Sequence, residues 1–374
     1  MLRVFQYAGF FLLGVIGGMI GPLIPFIRHD LTLGYGAAGL LFSAQSVGSI
    51  AVLLLAGWLV HRQGVRWVLS VGSLVFALGM ALSAAAPSIE VLLVGNMAIG
   101  VGMSLWDVGI STSTMDASSH GKGKALNLLH FFFGAGAVTG PLAAWAAGDH
   151  WRVAFALLAV VPLLLLLLIK KMPIPATPSA PVAVRFGVYR KPLVWLIAVA
   201  LSVYCGVEWG VGAWFPSYWV ATGKGLDPNL VTSLFWFTFS LGRFFVGGLA
   251  DRWGFGRFLG LSVAASGAAV LLWLLSPGPG MALVAVLLLG VTLAGIYPTF
   301  VALASQRFPA SSGQVASLLS IFAALGTLMW PPLMGVWADA SRIQTLPVSE
   351  FGLWLVLATV AAIALGLAHR RAKP

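Results

Sequence analysis

Long apolar runs alternate with short clusters of glycine, proline and charge along the whole chain. Bounded by those clusters, the runs fall at roughly 4–27, 35–60, 67–86, 89–114, 125–147, 152–169, 192–221, 229–250, 257–276, 279–304, 313–338 and 349–368. Most approach or exceed the roughly 20 residues that carry a helix across the hydrocarbon layer. They lack the ten-residue alternation of apolar and polar positions that marks an outer-membrane barrel. The pattern predicts an all-α membrane protein of twelve transmembrane helices. The first run is too long for a signal-peptide core and lacks a small-residue cleavage site, so it reads as the first span.

Composition strengthens this picture. Of 374 residues, 60% are hydrophobic and only 8% charged, against about a quarter charged in soluble domains. Such a chain cannot solvate a globule, which excludes a soluble enzyme. The net charge of +11 does not imply nucleic acid, because the basic residues fall in alternate loops. With the N-terminus inside, sixteen Lys and Arg lie in inner loops and tails, and four, Arg28, Arg152, Lys224 and Arg342, lie outside. This positive-inside bias predicts that both termini are cytoplasmic in a plasma (cell inner) membrane. The single cysteine, Cys205, excludes a disulfide framework.

The longest inner segment, 170–191, is basic and carries Pro173, Pro175, Pro178 and Pro181. It reads as a cytoplasmic linker between an N-terminal six-helix bundle at 1–169 and a C-terminal one at 192–374. An internal repeat supports that division. The loop Gly57-Trp-Leu-Val-His61-Arg62-Gln-Gly64-Val-Arg66 returns as Gly247-Gly-Leu-Ala-Asp251-Arg252-Trp-Gly254-Phe-Gly-Arg257, at a constant offset of 190 residues. Two six-span copies in the same orientation imply halves related by a pseudo-two-fold axis along the membrane normal.

The pattern Gly-x-x-x-Asp-Arg-x-Gly in that loop, with twelve spans over the whole chain, resembles the major facilitator superfamily. Gly102-Met-Ser-Leu-Trp-Asp107, Ala125-Leu-Asn127-Leu-Leu-His130 with Gly140-Pro141, Tyr204-Cys-Gly206-Val-Glu208, Gly242-Arg243 and Gly295-Ile-Tyr297-Pro298 are similar to its fucose permease-like sugar/proton symporters. The resemblance implies the major facilitator fold and proton-coupled monosaccharide uptake by alternating access. It also implies that Arg62, Arg66, Arg243, Asp251, Arg252 and Arg257 act as gating or latch residues. Two departures stand out: His61 occupies the acid's place in the first loop copy, and no acid lies in the first span, where the resembling symporters carry one.

Of the charged residues, Asp107, Glu208 and Arg243 read as lying well inside spans. An intramembrane ionisable group is costly and by default functional, so Asp107 and Glu208 are the expected proton-coupling sites. Polar and aromatic side chains within spans, Gln45, Asn127, His130, Tyr204, Trp214, Trp236 and Tyr297, are the expected substrate contacts. Amides and imidazole bond sugar hydroxyls, and aromatic rings stack on pyranose faces. Glycines four apart, Gly14 with Gly18, Gly17 with Gly21 and Gly136 with Gly140, predict close helix contacts. No phosphate-binding loop and no His/Cys cluster with metal spacing occurs, so no cofactor, metal or ATP is expected. The expectation is a monomeric secondary transporter whose partners are a sugar-like solute, protons and the bilayer. The alternative is a proton-driven antiporter exporting drugs or amphipathic metabolites. The residues alone leave open the solute's identity, sodium in place of protons, and the direction of transport.

Overall fold

A computed structural model describes residues 2–117, 122–171, 186–223 and 225–370. Among them every long element is a helix: α1 (Leu2–Leu31), α2 (Tyr35–Gln63), α3 (Val65–Ala84), α4 (Ile89–Ala117), α5 (Lys122–Ala147), α6 (Trp151–Lys171), α7 (Pro192–Thr222), α8 (Pro228–Trp253), α9 (Phe255–Leu274), α10 (Pro279–Leu293), α11 (Ile296–Arg307), α12 (Ser312–Ser341) and α13 (Leu346–Arg370). The second and fourth apolar runs are unbroken helices, while the run expected at 279–304 is divided between α10 and α11. Most of the proline-rich segment expected as a linker, 172–185, lies outside the described residues, and Phe186–Arg190 forms a short 3-10 turn.

Among the described residues ten stretches are long and apolar enough to cross a membrane. One of them, Leu128–Ile169, contains most of α5 and all but the end of α6, and α8 is absent from the set. The chain is a multi-pass helical membrane protein.

The chain divides into two compact units, Met1–Val182 and Ala183–Pro374. In the first, α1 packs on α5, and α4 packs on α2 and α3. Glycine makes the α1–α5 crossing possible. A Cβ on Gly14 or Gly18 would strike the carbonyls of Phe133 or Ala137, and one on Gly136 or Gly140 those of Phe11 or Val15. The helices therefore meet backbone to backbone, as the four-residue glycine spacing predicts. In the second unit α7 packs on α12 and α13, α8 on α10, and α9 on α10 and α13.

The 190-residue repeat is written into the backbone of each unit. Residues 65–84 and 255–274 both form twenty-residue helices. Each begins after a glycine with positive φ, +79° at Gly64 and +80° at Gly254. That conformation is strained for any residue bearing a Cβ. Gly100 lies against the Gln45 carbonyl in the first unit, and Gly290 against the Phe235 carbonyl in the second. Gly136 meets Phe11, and Gly326 meets Ser202.

Candidate functional site

In the first unit, Trp106 fixes the register of α4. Its indole is fully buried and donates to Ser73 Oγ at 3.0 Å and to the Leu69 carbonyl at 3.3 Å, both on α3. The next residue is turned about 100° around the helix axis. Asp107 is accordingly exposed and accepts a hydrogen bond from Ser111 Oγ at 3.3 Å. A buried amide contact, Gln6 Nε2 donating to Ser113 Oγ at 3.0 Å, ties α1 to α4 nearly two turns further on. Sequence reasoning passed over both residues.

The other expected contacts of this unit do not gather around Asp107. Gln45, half-buried on α2, donates to Met103 Sδ at 2.9 Å. His130 is exposed on α5, edge-on to Phe10 at 5.7 Å. The Asn127 side chain lies outside the described residues.

The second unit holds a denser cluster. Tyr204 and Glu208, four residues apart, share one face of α7 and stand side by side. Glu208 is 6% exposed, and Arg243 of α8 brings Nη2 to 3.9 Å from its Oε1. The Arg243 guanidinium also lies over the Phe239 ring at 4.5 Å. At that separation the pair is an ion pair without close hydrogen bonding, so both groups keep capacity for another partner.

The cluster borders the interruption of the tenth apolar run. Pro298 has no N–H with which to bond the Ala294 carbonyl, and α10 ends at Leu293. The Tyr204 hydroxyl donates to the carbonyl of Leu293, the last residue of α10, at 3.1 Å. Tyr297, in the first turn of α11, is half-buried with its ring 6.3 Å from that of Tyr204. Gly242 admits the break, since a Cβ there would meet Ala294 Cβ at 2.7 Å. Interrupted helices that expose backbone polar groups beside ionisable side chains are how transporters build solute and ion sites.

The two expected tryptophans are built into the packing. Trp214 is fully buried and donates to the Pro331 carbonyl at 2.8 Å, joining α7 to the proline-bearing part of α12. Trp236 is buried among Trp209, Phe235 and Phe239.

The loop residues are spread out. Arg66 Nη1 donates to the Ile169 carbonyl at 2.5 Å, closing the end of α6. Arg62 reaches over Trp58. Asp251, Arg252 and Arg257 are exposed, and no ion pair joins them to a described residue.

Counting the intramembrane charges from sequence as three missed Glu350. Its position near the end of an apolar run reads as a boundary, yet it is fully buried in α13 with no hydrogen-bond partner on either carboxyl oxygen. The usable signal is Gly210 on α7, which leaves room for it: a Cβ there would meet Glu350 Oε1.

Apolar helices holding ionisable groups and a broken span define a multi-pass membrane carrier. The sequence profile of the Major Facilitator Superfamily matches residues 7–331, and again 224–374; the chain belongs to that superfamily and is a transporter, not an enzyme. It is 29% identical over 166 residues to the arabinose-proton symporter of Escherichia coli (strain K12), a match covering 43% of this chain and 35% of that one. The chain thus matches only about a third of that relative's length. It is 26% identical to the 2-nitroimidazole transporter of the same strain, over 92% of this chain and 90% of that one. Its fold is similar to the nucleoside transporter NupG, with a TM-score of 0.80, 12% identity and complete coverage of both chains. It is also similar to the E. coli fucose:proton symporter FucP, with a TM-score of 0.67, 19% identity, and 97% and 98% coverage.

Proposed function

We propose that the chain is a proton-coupled transporter of a small polar solute, most simply a monosaccharide, taken up by alternating access. The observation that carries the reading is the buried Glu208 carboxylate, held at 3.9 Å by Arg243 beside the break between α10 and α11. A proton on Glu208 removes its charge and frees the Arg243 guanidinium, whose donors then turn to a hydroxylated solute. Solute and proton occupancy are linked through one arginine, which is what coupling requires. Tyr204 and Tyr297 supply a hydroxyl and a ring face for the solute. Asp107 is the second coupling group: an acid on a membrane-spanning helix, exposed in its own unit, belongs on a water-filled path. Gln45, Asn127 and His130 contribute from the first unit, and Trp214 and Trp236 support the walls.

The architecture proposed for this activity is twelve spans, with α10 and α11 together forming the tenth, in two six-helix bundles related by a pseudo-two-fold axis. Residues 170–191 link the bundles, both termini are cytoplasmic, and the carrier works as a monomer in the inner membrane. Asp251, Arg252 and Arg257, with Arg62 and Arg66, form the cytoplasmic latch. The arabinose, fucose and nucleoside named for the similar proteins are polyhydroxylated, which favours a sugar-like ligand. The full-length likeness to the 2-nitroimidazole transporter favours a second reading, an antiporter for amphipathic compounds.

The test is reconstitution into liposomes with a panel of labelled monosaccharides that includes arabinose and fucose. The wild type accumulates one of them under an inward proton gradient. Glu208→Gln and Asp107→Asn retain counterflow exchange but lose accumulation. Normal accumulation by both variants defeats the coupling assignment, and 2-nitroimidazole efflux without sugar uptake establishes the second reading.

A further inference from the structure

We propose that Glu350 is a separate proton-binding site, a carboxyl whose proton keeps α7, α12 and α13 packed together and whose loss parts them. The proposal concerns a different place in the second unit from the Glu208–Arg243 pair, and it does not depend on which solute is carried.

Glu350 sits in the second turn of α13, fully buried, and neither carboxyl oxygen has a hydrogen-bond partner. Two other helices close over it. Gly210 of α7 brings bare backbone against the carboxyl: an added Cβ would lie 2.5 Å from Glu350 Oε1 and 2.8 Å from Met334 Sδ of α12. One turn along each helix the same three elements meet again, where Gly206 faces the Trp330 indole and Leu353 Cδ2. The Trp330 Nε1 donor there is also buried without a partner. Two adjacent layers therefore contain an unused donor and an unused acceptor pair, walled by glycine, thioether and leucine.

Among the described residues no cation is placed to hold a carboxylate in this pocket. Of the helices packed on α13, α7 contributes Tyr204, Cys205, Glu208 and Tyr218, and Glu208 is already paired with Arg243. From α12 comes only Asp339, which is exposed, followed by the exposed Arg342 beyond the helix end. From α9 comes Arg257, at the opposite end of α13, since its neighbour Gly256 faces Leu365. The remaining charges of α13, His369 and Arg370, lie at that far end too. A charged carboxylate without partners is not tolerated in such surroundings, whereas the protonated acid is a small neutral group that fits. Ionisation accordingly demands that water enter, and water enters only if the contact at Gly210 opens.

The chain provides its own reporter. Cys205, its sole cysteine, is buried on α7 next to Gly206. The test uses the full-length protein in lipid nanodiscs, compared with Glu350→Gln, both in a Glu208→Gln background so that the coupling pair makes no contribution. Infrared difference spectra near neutral pH show a protonated-carboxyl C=O band in the parent that is missing from Glu350→Gln. As the pH is raised, the band fades and Cys205 alkylates roughly tenfold faster than in Glu350→Gln at the same pH. Glu350→Leu, which removes the titrating group and keeps the apolar surroundings, carries the same comparison should the amide variant fail to fold.

No band difference between the two proteins overturns the proposal, because Glu350 then carries no proton. A band that persists to high pH, with equal alkylation rates, also overturns it, leaving a fixed acid. Loss of the band on adding sodium at constant pH makes the site a cation site instead. Because Glu208 is already neutralised, failure here leaves the coupling assignment to stand or fall on its own test.

Discussion

Residues 89–117 and 279–307 occupy equivalent places in the repeat, 190 positions apart, and they behave differently. The first is one continuous helix, α4; the second breaks into α10 and α11 at Ala294 and Gly295. Asp107 corresponds to Tyr297, one position beyond the fully buried Trp106 and Ile296. The divergence has a local cause: Pro298 removes a helical N–H three residues after Gly295, whereas the equivalent positions, Val108 and Leu105, are neither proline nor glycine. In the first unit Trp106 bonds α4 to α3 and the acid is left exposed on the helix. In the second the break frees backbone groups that Tyr204 and the Glu208–Arg243 pair adjoin. The repeated pattern thus runs as one helix in the first unit and as two in the second.

Four tests by substitution break or sharpen that contrast. The largest effect belongs to Arg243→Ala, which leaves Glu208 as an unpaired buried charge and costs about 3 kcal/mol or more of stability. Thermal denaturation in detergent shows a large drop in midpoint, recovered in good part by adding Glu208→Gln; no recovery means that the pair is not what stabilises this region. Next is Gly100→Ala against Gly290→Ala. The new methyl at Gly100 strikes the fixed Gln45 backbone, while at Gly290 its nearest neighbour is the rotatable Thr238 hydroxyl. Overpacking costs about 1–3 kcal/mol, so the first variant loses more than the second, and equal losses contradict the reading of these contacts.

Pro298→Ala restores the missing donor and lets α10 run into α11 as α4 does. It stabilises the fold by about 1 kcal/mol while slowing solute exchange; faster exchange argues that the break is incidental. Smallest is Trp106→Phe, which keeps the packing and forfeits the donor to Ser73 and Leu69, a loss of about 1 kcal/mol. A mobile α4 reveals itself as increased amide exchange along residues 104–111.

The sequence carried the coarse architecture because its signals are strong and local. Long apolar runs, the returning glycine-framed loop and the four-residue glycine spacing of α1 and α5 each have one physical meaning in a bilayer. Gly64 and Gly254 are visible as pattern, and their positive φ explains why the pattern is glycine. What escaped depended on three-dimensional company. Glu350 reads as a boundary residue until Gly210 and Met334 close over it. Pro298 was visible, yet a proline inside a membrane span is often absorbed as a kink, as Pro141 is in the continuous α5. The break follows from Gly295 and Pro298 acting with Tyr204, which takes up the Leu293 carbonyl. Glu208 and Arg243 were legible as costly intramembrane charges, but nothing in their spacing reveals that they face one another.

The central claim is that Glu208 moves a proton with the solute. It is tested most directly by reconstituting wild type and Glu208→Gln in liposomes containing a pH-sensitive dye and adding the transported sugar outside without an imposed gradient. The account predicts prompt internal acidification for the wild type, and sugar entry without acidification for Glu208→Gln. Equal acidification by the two proteins would contradict it.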